Sequence, residues 1–139
     1  MKLSTTTKYA IAILGFMAQH QESKYSSKQL SEELNIPYKY LAKIMTKLTK
    51  NNILSSTKGK YGGFEIIKDI KDIKIIDIVV VFDDVNNQEC VLLDIKCNYE
   101  QKCIMHDKWQ KPKCAIDDFF VKTTLAELIE KSSIVKVFK

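Results

Sequence analysis

The segment SSKQLSEELNIPYKYLAKIMTKLTK, residues 26–50, decides the architecture. Ser26 or Ser27 offers a side-chain oxygen to cap a short helix, Lys28–Leu34. In that helix Leu30 and Leu34 stand four residues apart and share a face. Asn35-Ile36-Pro37 reads as a turn, and Pro37, with its fixed φ and missing N–H, suits the first turn of a second helix. The second helix, about Tyr38–Asn51, turns Leu41, Ile44, Met45 and Leu48 inward. Its other face carries Lys39, Lys43, Lys47 and Lys50, spaced four, four and three apart. Two short helices joined by a tight turn, the second with a lysine stripe, form a helix-turn-helix pattern. A lysine stripe alone is equally the mark of a solvated helix face. Its position after a helix-turn gives the DNA reading more weight.

Working outward, Ile53-Leu54-Ser55-Ser56-Thr57 and Phe64-Glu65-Ile66-Ile67 read as two alternating strands around Lys58-Gly59-Lys60-Tyr61-Gly62-Gly63. This is a β-hairpin with a basic, glycine-rich tip, the wing of a winged helix. Three of the four glycines lie in that tip. Upstream, residues 5–19 are apolar enough for a mostly buried helix, and Ser23–Tyr25 reads as a break. Downstream, a short helix is expected from Ile75 to about Phe82, and a polar loop over residues 83–103. A longer helix follows, from about Met105 to Val121, with Trp109, Ile116, Phe119 and Phe120 as its apolar bulk. Pro112 is expected to kink it or mark a restart. Thr123 or Thr124 caps a last helix, Leu125–Glu130.

Charge separates the halves. Residues 1–68 hold 11 lysines and 4 acids, whereas residues 69–139 hold 11 lysines and 13 acids. A basic head on a near-neutral body suits a polyanionic partner. All 22 cationic residues are lysine, so no guanidinium fork is available to grip guanine bidentately. On the recognition helix, Tyr38, Lys39, Tyr40 and Lys43 are placed to meet major-groove edges or flanking phosphates. Lys47 and Lys50, with Lys58 and Lys60 in the wing, are assigned to phosphates. No apolar run reaches the roughly 18–20 residues of a membrane span, and the opening residues lack a signal peptide's apolar stretch. A cytoplasmic location follows as the expectation. Reduced thiols are the rule there, so clustered cysteines read as ligands or sensors rather than disulfides.

Four donors fall within seventeen residues: Cys90, Cys97, Cys103 and His106. Three thiolates and an imidazole suit zinc or an iron–sulfur cluster over hard oxygen-seeking ions. A compact structural zinc site usually contains a Cys-x2-Cys knuckle, which is missing here. Gaps of six and five residues between the cysteines suit a loop draped around a larger cluster. An iron–sulfur cluster is therefore the expected cofactor, 2Fe–2S before 4Fe–4S, with zinc as the alternative. The competing reading makes each cysteine a small buried hydrophobe, and it fits Cys114 best. Cys90, beside Val91-Leu92-Leu93, is open to it as well. No nucleophile elbow, phosphate loop or histidine-rich metal motif points to an enzyme.

Several stretches, in order, resemble the Rrf-two family of bacterial winged-helix regulators. They are Met1-Lys2-Leu3-Ser4 with Tyr9-Ala10, the segment Ile36–Leu54, and Lys58-Gly59 with Gly62-Gly63-Phe64. Cys103 through His106 with Trp109, and Thr123-Thr124-Leu125-Ala126-Glu127-Leu128, complete the set. The resemblance implies a homodimer held largely by the helix at about Met105–Val121, and a cluster in the loop before it. In the IscR-like branch the ligands are three cysteines and a histidine three residues after the last of them. Cys90, Cys97, Cys103 and His106 match, with one extra residue between the first two. The NsrR-like branch takes a carboxylate from near the amino terminus, where this chain has Lys8, and an ammonium cannot ligate iron.

The expected fold is mainly α with a small β wing. Residues 1–83 form a winged helix-turn-helix DNA-binding domain, residues 84–104 a cysteine-rich cluster loop, and residues 105–139 a dimerisation helix and a carboxy-terminal helix. The expected function is a dimeric transcription regulator, a repressor whose affinity for a double-stranded operator is set by a labile iron–sulfur cluster. The rivals are a zinc- or thiol-based redox-sensing winged-helix protein and an adaptor that uses its winged helix for protein contacts.

Overall fold

The computed structural model describes residues 3–85 and 96–130; Cys90 lies outside them. Its elements run α1 (Thr5–Gln19), α2 (Ser27–Leu34), α3 (Tyr38–Lys50), β1 (Leu54–Thr57), β2 (Gly63–Ile66), α4 (Ile75–Phe82), α5 (His106–Lys122) and α6 (Leu125–Glu130). The first two helices start where the sequence supplies a side-chain cap. Ser4 Oγ accepts from the Thr7 amide at the start of α1. Ser26 and Gln29 form a reciprocal capping box on α2. Asn35 ends α2 in the left-handed conformation, φ 54°, which asparagine tolerates better than most residues. Pro37 stands one place earlier than expected: it is the N-cap of α3, with extended backbone, and Tyr38 begins the helix.

The core is built mainly from α1, α2, α3 and α4, whose Ile75, Ile78 and Val79 join it. Ile13, Leu14, Leu30, Leu41, Ile44, Met45 and Leu48 are all buried. Burying a side chain of this size contributes roughly 1.5–3 kcal/mol. The antiparallel wing pairs Leu54 with Ile66 and Thr57 with Gly63. Two backbone hydrogen bonds join Phe64 to Tyr25 and tie the hairpin to the head (Phe64 N–H to Tyr25 O, 2.7 Å; Tyr25 N–H to Phe64 O, 3.2 Å).

The carboxy-terminal helix belongs to the same packing unit. Leu125 is fully buried, and its N–H donates to Ile73 O at 2.7 Å. The Ile75 N–H donates to Thr123 O and the Ala126 N–H to Ile70 O. Thr124 and Glu127 cap α6 reciprocally. α5 is different: over 17 residues only His106 and Phe120 are buried. It runs as one helix through Pro112, so the restart that was one of the two expectations there does not occur. Pro112 lies on the exposed face, so the Lys108 carbonyl it leaves unpaired can be met by water.

Candidate nucleic-acid interface and ligand loop

On α3 the two faces separate as the spacing requires. Leu41, Ile44, Met45 and Leu48 are buried, and Lys39, Lys43, Lys47 and Lys50 are exposed. Lys43, Lys47 and Lys50 line one shallow groove with Ala42 and Thr46. Tyr38 is exposed at the front of the helix. Tyr40 is oriented by α1: its hydroxyl lies 3.1 Å from Thr6 Oγ1, and its ring meets Tyr9 edge-on at 5.6 Å. Lys47 has a neighbour that its spacing did not announce, since its ammonium sits 5.4 Å above the Phe82 ring at the end of α4. Lys58 and Lys60 are exposed in the wing beyond.

The end of α4 is latched to the start of α1. Asp83 Oδ2 accepts from the fully buried Thr7 hydroxyl at 2.7 Å and from the Ser4 N–H at 3.2 Å. Burial works to raise the pKa of this carboxyl, but the hydrogen bonds from Thr7 and Ser4 together outweigh it. The net result is a pKa below the ordinary carboxylate value. Asp83 therefore fixes the place where the chain leaves the head toward residues 86–95.

At the other end of that connection, His106 opens α5 with 4% of its surface exposed. Its Nδ1 lies 3.4 Å from Cys97 Sγ, and its Nε2 lies 3.3 Å from Nε2 of Gln110, one helical turn on. Tyr99 closes over the ring edge-on at 5.2 Å. The His106 N–H donates to Cys103 O at 3.0 Å, which fixes Cys103 in the turn that starts the helix. The structure thus joins Cys97 to His106 and holds Cys103 beside them through the backbone. Among the described residues no group of three or more histidine, cysteine or acidic side chains converges as a metal site. Cys97, Cys103 and Cys114 form no disulfide among the described residues, and Cys114 is exposed. Gln110 and Tyr99 were not singled out in the sequence. Gln110 could have been, because it is four residues from His106 on the same helix face.

A helix-turn-helix with a lysine groove, backed by a β wing, defines a winged-helix DNA-binding protein. The sequence matches the Rrf2 family, described as an iron-dependent transcriptional regulator, over residues 3–131, and the chain belongs to that family. An HTH-type regulator of Aquifex aeolicus (strain VF5) is 36% identical over 132 residues, covering 93% of this chain and 92% of that protein. The regulator IscR of Serratia proteamaculans (strain 568) is 27% identical over 139 residues, covering 99% of this chain and 84% of that one. Among solved structures, CymR, the global cysteine regulator of B. subtilis, superposes with a TM-score of 0.80 at 21% identity, covering 96% of this chain and 99% of that one. IscR of T. potens gives 0.73 at 24% identity, covering 100% of this chain and 93% of that one. The chain is a DNA-binding transcription regulator rather than an enzyme. No helix among its described residues is long and apolar enough to cross a membrane.

Proposed function

We propose that this regulator is a homodimer whose operator affinity is set by an iron–sulfur cluster held by Cys90, Cys97, Cys103 and His106. The observation that carries the reading is the approach of Cys97 Sγ to His106 Nδ1, 3.4 Å apart, at the start of α5. Soft thiolate and borderline imidazole donors are the set that iron–sulfur centres accept, so the residues present fit the group. Bound there, a cluster supplies a tie between loop and helix that depends on iron and redox state. The chain's own part is to hold the donors. Tyr99 and the first turn of α5 keep His106 from water. The Gln110 amide nitrogen faces Nε2; turning the carboxamide over would present its oxygen to Nε2–H and leave the Nδ1 lone pair on the Cys97 side.

α5 then links the ligand loop to the head, because its carboxy-terminal end runs into the Thr123–Ala126 pins on Ile70, Ile73 and Ile75. A 17-residue helix spans about 25 Å. Ile104, Met105, Phe119 and Val121 stay exposed along or beside it, which suits a face covered by a second copy. In the dimer the two α3 helices would lie about one turn of DNA apart, matching a pseudo-palindromic operator. Tyr38, Lys39, Tyr40 and Lys43 then serve the groove edge, and Lys47, Lys50, Lys58 and Lys60 serve the phosphates.

The test is anaerobic purification with visible absorption, iron and sulfide analysis, and sedimentation. The reading expects a coloured dimer, and it expects Cys97→Ser with Cys103→Ser to abolish the colour and change DNA affinity. A colourless protein with stoichiometric zinc overturns it. A second reading, thiol-based sensing, draws on the same contact, which holds the partly exposed Cys97 thiol at the start of α5. It expects a metal-free protein whose DNA affinity responds to a thiol oxidant.

A further inference from the structure

The wing tip carries an aromatic side chain that neither the fold nor the lysine pattern accounts for. The Gly62 N–H donates to Gly59 O at 3.0 Å, closing a tight turn whose two central residues are Lys60 and Tyr61. Tyr61 is 85% exposed, more than any other aromatic residue among the described ones. Its one ring contact among them is the Lys60 ammonium, 5.7 Å from the ring centre. The tip is held firmly. A Cβ on Gly62 would stand 2.0 Å from Thr57 O, so only glycine allows this return of the chain. Below the tip, Lys24 Nζ donates to Thr57 Oγ1 on one strand and lies 3.7 Å from Glu65 on the other. Tyr25 is bonded to Phe64. The ring is thus open to a partner that approaches the braced, basic tip from solution.

We infer that Tyr61 enters the minor groove beside the α3 site and selects A·T pairs there. The inference rests on the DNA-binding reading of α3. Lys60 lies over the ring, Lys58 is exposed in the same tip, and together they call for a polyanion. A narrow A·T minor groove has an enhanced negative potential that attracts cationic side chains, and its floor offers only acceptors, adenine N3 and thymine O2. The phenol O–H of Tyr61 donates to either. A G·C pair puts an amino group on that floor, which obstructs the ring's approach to the acceptors. With no arginine in the chain, Lys60 supplies the cation and Tyr61 the hydrogen bond and the shape. Between the wing tip and the start of α2, a recess lined by Ser23, Lys24, Ser26, Lys60 and Tyr61 offers donors to the backbone bordering that groove.

The experiment uses the full chain, purified anaerobically, as wild type and as Tyr61→Ala. Each protein selects duplexes from a library of 30-base-pair DNA with a randomised centre. The expected result is a shared core sequence, with an A·T block at a fixed distance from it for the wild type only. In the selected duplex, replacing the block's adenines with 2,6-diaminopurine adds the minor-groove amino group and leaves the major-groove face unchanged. The wild type should then bind about tenfold more weakly, and Tyr61→Ala should bind both duplexes equally. An unaltered far-ultraviolet circular dichroism spectrum confirms that the exposed substitution leaves the fold intact. If Tyr61→Ala keeps the A·T block, or weakens every sequence alike, the inference is overturned while the α3 reading stands. If the wild type enriches no sequence at all, the DNA-binding reading fails and takes this one with it.

Discussion

Replacing Asp83 with asparagine tests the latch between α1 and α4 with almost no change in shape. In the wild type Asp83 Oδ2 accepts from Thr7 Oγ1–H at 2.7 Å and Ser4 N–H at 3.2 Å. A hydrogen bond to a charged group contributes about 1.5–3 kcal/mol, against about 0.5–1.5 kcal/mol for a neutral pair. Asparagine keeps an acceptor oxygen and loses the charge. For two bonds at a partly exposed carboxylate, solvent screening reduces the expected loss to about 1 kcal/mol. In a chain of this size that lowers Tm by about 4 °C. The pH dependence follows from the depressed pKa of Asp83 in the folded state. A depressed folded pKa gives stability that is fully present above the unfolded value, about 3.9, and is lost as pH falls through the folded value. Thermal melts followed by circular dichroism should therefore show the full gap between wild type and Asp83→Asn at pH 7. The gap should narrow below about pH 4 and close once the wild-type carboxyl is protonated. A gap of the same size at low pH, or identical melting at pH 7, would refute the charge-assisted latch.

Lys47→Ala should weaken binding to all duplex sequences alike and flatten the salt dependence by about one unit per protomer, read from anisotropy titrations across a salt series. A change in sequence preference would instead place Lys47 at the base edges. Gln110→Leu removes the partner of His106 Nε2 and should release iron to a chelator about 10–100-fold more readily; unchanged retention would show that Gln110 does not orient the ring. Leu125→Ala opens a cavity where α6 meets the head and should cost about 3 kcal/mol in denaturant unfolding. A loss under about 1 kcal/mol would mean that α6 packs more loosely than its burial indicates.

The local elements were legible because their signals are local. Apolar spacing marked α1, α3 and α4, serine and threonine marked the starts of α2 and α6, and paired glycines marked the wing. The reading and the structure differ at the two prolines. Pro37 caps α3 instead of opening it. Pro112 does not restart α5, which runs unbroken through it with the proline exposed.

By itself the sequence determined a lysine-faced reading helix, a glycine-turned wing and a run of sulfur and imidazole donors, each written in residues a few positions apart. Only the tertiary structure decided which of them meet. Cys97 reaches His106 across nine residues. Phe82 lies under Lys47, and Asp83 is bonded to Thr7 across 76 positions. The physical reason is that periodicity records which face of an element leaves water, not what that face will touch. A contact between distant residues is set by how the elements pack, and no local pattern carries it.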